Sequence, residues 1–231
     1  MAFARTGLLC AVLAIGATAT AAHAQTVADL QQVPAFVLQK YEKKAAAGDQ
    51  GAQFRLGLLY ERGLVDGAPN DTAAADWYGR AAETGFPPAQ FKRARFYAEG
   101  RGGPRDMTKA AALYAAAAEQ GLPEAQYNYA ILLQDGIGVD KNLPEAIRWF
   151  EQAAFRGETA AMRALALLYM AGPLGTPHDM IEAWAWLSQS VEAGEADLQA
   201  ELDAVQAVLS DADREEAEKL LKAYGELRLA Q

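Results

Sequence analysis

The chain has 231 residues and a formal charge of −9, with 52% hydrophobic, 22% charged and 9% aromatic residues. This composition excludes a disordered chain and is long enough to bury the core of one or two domains. The acidic balance repels phosphate backbones and anionic lipid heads, which argues against nucleic acid as a partner.

Residues 1–24 differ from the rest. Arg5 is followed by an apolar run from Leu8 to Ala17, then by small residues ending in Ala22-His23-Ala24. That order matches a secretory signal peptide and predicts cleavage after Ala24, hence a periplasmic or secreted protein. The run is shorter than the ~20 apolar residues that span a bilayer, and no second long apolar segment follows, so no membrane span is expected. The single cysteine, Cys10, falls inside this segment. The mature chain is therefore expected to have no disulfide, no thiolate metal site and no cysteine nucleophile.

The stretch PAFVLQKYEKKAAAG then predicts a lone capping helix within residues 25–47, closed by Gly48. A repeat follows. Ala52, Ala89, Ala125 and Ala161 stand 37, 36 and 36 residues apart. Five residues after each comes a small one: Gly57, Ala94, Ala130 and Ala166. Tyr60, Tyr97, Leu133 and Tyr169 come next, then Gly63, Gly100, Gly136 and Gly172. A second series ends at Gly85, Gly121, Gly157 and Gly194, preceded by Trp77-Tyr78, Leu113-Tyr114, Trp149-Phe150 and Trp186-Leu187. Small residues allow close helix approach, large ones three or four positions away fill the space beside them, and glycine ends each helix. The spacing thus predicts four helix pairs, about 48–84, 85–120, 121–156 and 157–194. Asn142 with Glu145 predicts a helix start, as does Ser210, and residues 195–231 read as C-terminal capping helices.

These two helix patterns, A-x-x-x-x-G/A-x-x-Y-x-x-G and A-x-x-W-Y/F-x-x-A-A-x-x-G, resemble Sel-one-like repeats, relatives of the tetratricopeptide repeat. The resemblance is strongest at AQYNYAILLQDGIGVDKNLPEAIRWFEQAAFRG and covers about Gly48 to Gly194. It implies an all-α fold, a right-handed α/α superhelical solenoid that binds protein or peptide partners. Exported bacterial members resemble adaptors and regulators of envelope processes. The fourth block departs most, with AGPLGTPHD in its loop and Ser190-Val191 where alanine pairs stand elsewhere. In the second block Arg93 replaces the leucine seen at Leu56 and Leu165, and Tyr129 does so in the third.

Catalytic signals are sparse. His178 is the one histidine beyond the signal segment, and no H-E-x-x-H, G-x-S-x-G, S-x-x-K or G-x-x-x-x-G-K motif occurs. GRGGPRD belongs to a repeat loop and reads as a turn rather than a phosphate cradle. No calcium-loop pattern is present. Some cysteine-rich exported relatives are associated with penicillin binding and β-lactamase activity, but this chain lacks their paired cysteines. No enzyme activity, metal or cofactor is expected. A cell-envelope hydrolase of the β-lactamase-like or peptidoglycan-acting type stands as the alternative, and a purely structural subunit as a third.

In helix-pair solenoids the first helix of each pair lines the concave face. The period places Phe54, Leu58 and Glu61; Phe91, Arg95 and Glu99; Tyr127, Ile131 and Gln134; and Arg163, Leu167 and Met170 outward there. Aromatic and arginine side chains along such a groove are suited to anchor a partner. The competing reading has Phe54, Phe91 and Tyr127 packing between repeats. Lys92, Arg93 and Arg95 form a basic cluster, open to two readings: a partner-binding site or internal pairing.

Overall fold

The structure, a computed structural model, describes residues 32–172 and 178–229. The signal segment and the prolines of the fourth inter-helix loop lie outside these residues. Among the described residues there are helices and no strand: α1 (Ala35–Ala46), α2 (Gln50–Glu61), α3 (Asp71–Glu83), α4 (Pro87–Glu99), α5 (Met107–Glu119), α6 (Pro123–Asp135), α7 (Leu143–Phe155), α8 (Thr159–Ala171), α9 (His178–Glu192), a 3-10 turn (Ala196–Leu198), α10 (Gln199–Val208) and α11 (Asp211–Leu229).

The helix starts follow from their capping residues. Asp49, Asn70, Asp106 and Asn142 each accept the N–H of the residue three places on, at 2.8, 3.0, 3.0 and 3.3 Å. Proline occupies the first turn of α4, α6 and α7, where its missing N–H costs nothing. At Ser210 the hydroxyl accepts from Asp213 N–H while Asp213 accepts from Ser210 N–H, a reciprocal cap that opens α11. The glycines predicted to close the helices all have positive φ.

The chain forms two units. Of the described residues, the first holds 32–84 with 101–103, and the second 85–100 with 104–172 and 178–229. In the first, α1 packs on α2 and α2 on α3. Ala45, Ala52 and Leu56 form its core, with Leu38, Tyr41, Leu59 and Trp77 packed against them. Gly57 lets the fully buried Tyr78 ring come close against α2; a Cβ there would sit 2.5 Å from the ring.

In the second unit each helix from α4 to α9 packs on its neighbours in chain order. Alanines at the contact positions keep the helices close, and Tyr114, Leu133, Phe150 and Leu165 fill the remaining volume. Trp186 ends the series under the cap: Tyr224 of α11 stacks on it with ring centroids 4.5 Å apart. The diverged fourth repeat keeps its polar Ser190 fully buried by turning the hydroxyl onto Trp186 O at 2.9 Å.

Candidate partner-binding site

Each aromatic predicted on the first helices packs against the second helix of its own repeat. Phe54 lies 5.6 Å from Tyr78, Phe91 5.7 Å from Tyr114, and Tyr127 5.8 Å from Phe150, all between ring centroids. These are tilted or edge contacts, the preferred geometry for aromatic pairs. All three rings are half-buried, so each is fixed by its repeat and still presents surface. Burial pushes the Tyr114 hydroxyl up to about 12. Burial also raises the Tyr127 hydroxyl, with the Glu158 charge adding to it.

The fourth repeat departs from this pattern. Arg163 takes the aromatic position and reaches Glu195 at 3.0 Å and Asp197 at 2.8 Å, in the turn that begins the cap. Those bonds, Asp197 first, hold its guanidinium above the ordinary arginine value. Leu167 is exposed and Met170 half-buried.

Glu61 is tied inward as well, with 12% of its side chain exposed. Its carboxylate accepts from Tyr78 Oη at 2.6 Å and from Arg101 Nη1 at 3.2 Å. Arg101 in turn forks onto Asp71 at 3.0 and 2.6 Å. Burial and the bond to Glu61 hold the Tyr78 hydroxyl far above its usual range. This chain of bonds pins the 101–103 loop to the first repeat.

Arg95 and Glu99 pair along α4 at 3.3 Å, both partly exposed. Leu58, Ile131 and Gln134 are half-buried. Leu58 lies in a cavity of about 180 Å³ with Tyr41, Arg55, Leu59, Arg62 and Leu64. The basic cluster divides. Arg93 lies 4.3 Å over the Tyr97 ring and donates to its hydroxyl at 3.1 Å, with Lys109 Nζ 5.3 Å from the same ring. Arg95 turns to Glu99 on another face of the helix.

One recurring polar group escaped the sequence reading. Gln53, Gln90 and Gln126 follow the framework alanines and are all buried. Gln53 Nε2 donates to Ala45 O, tying the first repeat to the capping helix, and Gln126 Nε2 to Ala118 O, tying the third repeat to the second, each at 3.1 Å. Gln90 Oε1 accepts from Gln120 at 2.8 Å. The signal was the Ala-Gln pair recurring with the period; Met162 replaces it in the fourth repeat.

No group of three or more acidic, histidine or cysteine side chains suited to a metal occurs among the described residues. One carboxyl is perturbed in a way that pH can test. Burial raises Glu151, the Glu182 charge adds to it, and Arg148 opposes it. A raised native value means protonation stabilises the fold: the contribution is full below the unfolded carboxylate range and fades as pH rises through the native value. Glu151→Gln is therefore expected to leave the melting temperature unchanged near pH 4 and raise it near pH 7. Thermal melts across that range check this; a variant less stable than wild type at pH 7 would contradict it.

The Sel1 repeat family profile matches residues 51–86, 87–122, 123–157 and 159–195. The chain belongs to the Sel1 repeat family. It is similar to the solved structure of c5321, a protective antigen of uropathogenic Escherichia coli strains with an SLR fold, at 30% identity and a TM-score of 0.69. That match covers 84% of this chain and 40% of the E. coli protein. It is also similar to a Sel1 repeat protein from Oxalobacter formigenes, at 33% identity and a TM-score of 0.65, over 79% of this chain and 75% of the other. No curated protein matches. The four Sel1 repeats give the expected all-α, helix-pair solenoid class, whose members are scaffolds generally engaged in protein–protein interaction. No helix among the described residues is long and apolar enough to cross a membrane.

Proposed function

We propose that this Sel1 repeat protein is an exported, non-catalytic scaffold that binds a protein or peptide partner in the cell envelope. Within the second unit the partner lies along the first helices α4 and α6. The observation that carries this reading is the recurring aromatic position. Phe54, Phe91 and Tyr127 hold one repeat position, each locked on one edge by its own second helix and half-exposed on the other. A side chain held in this way loses little freedom on binding, which suits an anchor. Partly exposed Arg95, Ile131 and Gln134 stand near the rings on α4 and α6 and supply polar and apolar contacts. Residues 1–24 support export.

Crosslinking of the protein in envelope fractions, followed by mass spectrometry, tests the reading. A defined partner is expected, and the combined change Phe91→Ala, Arg95→Ala and Tyr127→Ala is expected to abolish its capture while circular dichroism keeps the helical signal. Capture undiminished by the three changes would overturn the site. Turnover of a cell-wall or β-lactam substrate by the purified protein would overturn the scaffold.

A further inference from the structure

The cavity beside Leu58 lies between the capping helix α1 and the first repeat. Arg55, Leu58 and Leu59 of α2 and Arg62, which caps its end, lie at i, i+3, i+4 and i+7 and form one stripe. Tyr41 of α1 closes one side, with the Arg55 guanidinium 5.8 Å from its ring. Leu64 closes another, folded back because its N–H donates to Leu59 O at 2.9 Å. Val33 N–H holds the Leu64 carbonyl at 2.9 Å, which fixes that wall. The floor is therefore aliphatic and the rim carries two exposed arginines. Among the described residues neither Arg55 nor Arg62 forms an ion pair with a carboxylate, on a chain of charge −9.

The repeat itself does not require these arginines. Positions equivalent to Arg55 hold Lys92, Asn128 and Ala164, and positions equivalent to Arg62 hold Glu99, Asp135 and Ala171. All four repeats form the same helix pair with these different residues. At about 180 Å³ the cavity is smaller than the ~300 Å³ lower bound of a drug-sized ligand site, and it suits one side chain.

We propose that this cavity takes an aliphatic side chain of a partner peptide while Arg55 and Arg62 hold a carboxylate beside it. The inference rests on the partner-binding reading and gives that partner a chemistry: an acidic peptide segment in which a leucine-like residue adjoins a carboxylate. Guanidinium groups pair with carboxylates through two parallel bonds, and such charge-assisted contacts are stronger than neutral ones. The carboxylate belongs either to an acidic side chain or to a chain terminus, and the two are separable by experiment.

Three acetylated peptides serve as probes: Gly-Ser-Leu with a free terminal acid, Gly-Asp-Leu as the amide, and Gly-Ser-Leu as the amide. Methyl and arginine side-chain NMR spectra of the purified protein are followed during titration. At least one acidic peptide is expected to shift the Leu58, Leu59 and Leu64 methyls and the Arg55 and Arg62 Nε signals, at a concentration at least tenfold below the neutral peptide. Whichever acidic peptide does so names the source of the carboxylate. Arg55→Gln with Arg62→Gln is expected to abolish that tenfold preference with the methyl spectrum of the free protein preserved. Equal titration by acidic and neutral peptides, or shifts confined to other residues, would overturn the proposal. A partner captured by crosslinking and unaffected by the two arginine changes would overturn the cavity's role and leave the scaffold reading standing; absence of any partner would remove the scaffold reading itself.

Discussion

Gly138→Ala is expected to destabilise the second unit by roughly 3 kcal/mol, combining a strained left-handed backbone with overpacking. Gly138 has φ +72°, a region that costs a residue with a Cβ. The added carbon would also collide with the carbonyl oxygen of Met107, where the loop after α6 lies across the start of α5. Backbone on one side of the clash means that no side chain can rotate away to relieve it. Gly102 makes the equivalent approach to Asp71 O in the first unit, which marks this as a device of the repeat loop. Gly103 supplies the control: nothing lies within 4 Å of a Cβ there and its φ is not positive, so Gly103→Ala is expected to stay within about 0.5 kcal/mol. Urea unfolding measures both. A Gly138→Ala loss below about 1 kcal/mol would show that the loop does not sit on α5.

Tyr224→Ala is expected to cost about 3 kcal/mol, at the low end for deleting a large aromatic because the ring is only half-buried. Its ring stacks on Trp186 and meets Phe155 edge-on at 5.4 Å, and its hydroxyl donates to Glu182 at 2.6 Å. This one side chain bonds α11 to both α7 and α9. In a linear array, stability is shared between neighbours, so losing the cap contact frays the end first. Trp186 would become wet, shifting tryptophan emission to the red, and the amides of α11 would exchange fastest. Tyr224→Phe keeps the stack and loses only the bond to the carboxylate, about 1.5 kcal/mol. Equal losses for the two variants would contradict the stacking account.

The framework was legible because a repeat states it several times. Ala125, Ala130, Leu133 and Gly136 recur with the period, and the structure places the first three in the core and gives Gly136 a positive φ. The recurring aromatic position was legible for the same reason. What a period cannot show is the contact made by a residue that departs from it. Arg163 sits in the aromatic register, and its partners are Glu195, at the very end of the last repeat, and Asp197, just beyond it. Glu61 reads as an outward residue on α2; its bond to Arg101 spans 40 positions and depends on how one loop folds back. The split of Arg93 from Arg95 was equally hidden: both have an acceptor or ring four places on, and only the structure shows Arg93 on the Tyr97 ring and Arg95 on the Glu99 carboxylate. The buried glutamines were visible as Ala-Gln pairs, yet a polar residue next to alanine carries no sign of its burial.

The central claim is that a partner lies along the first helices. Hydrogen–deuterium exchange of the protein, alone and with the crosslink-identified partner added, tests this most directly. Protection concentrated in α4 and α6, at the peptides carrying Phe91, Arg95, Tyr127 and Ile131, is the predicted result. Protection confined to the second helices α5 and α7, with α4 and α6 unchanged, would contradict it.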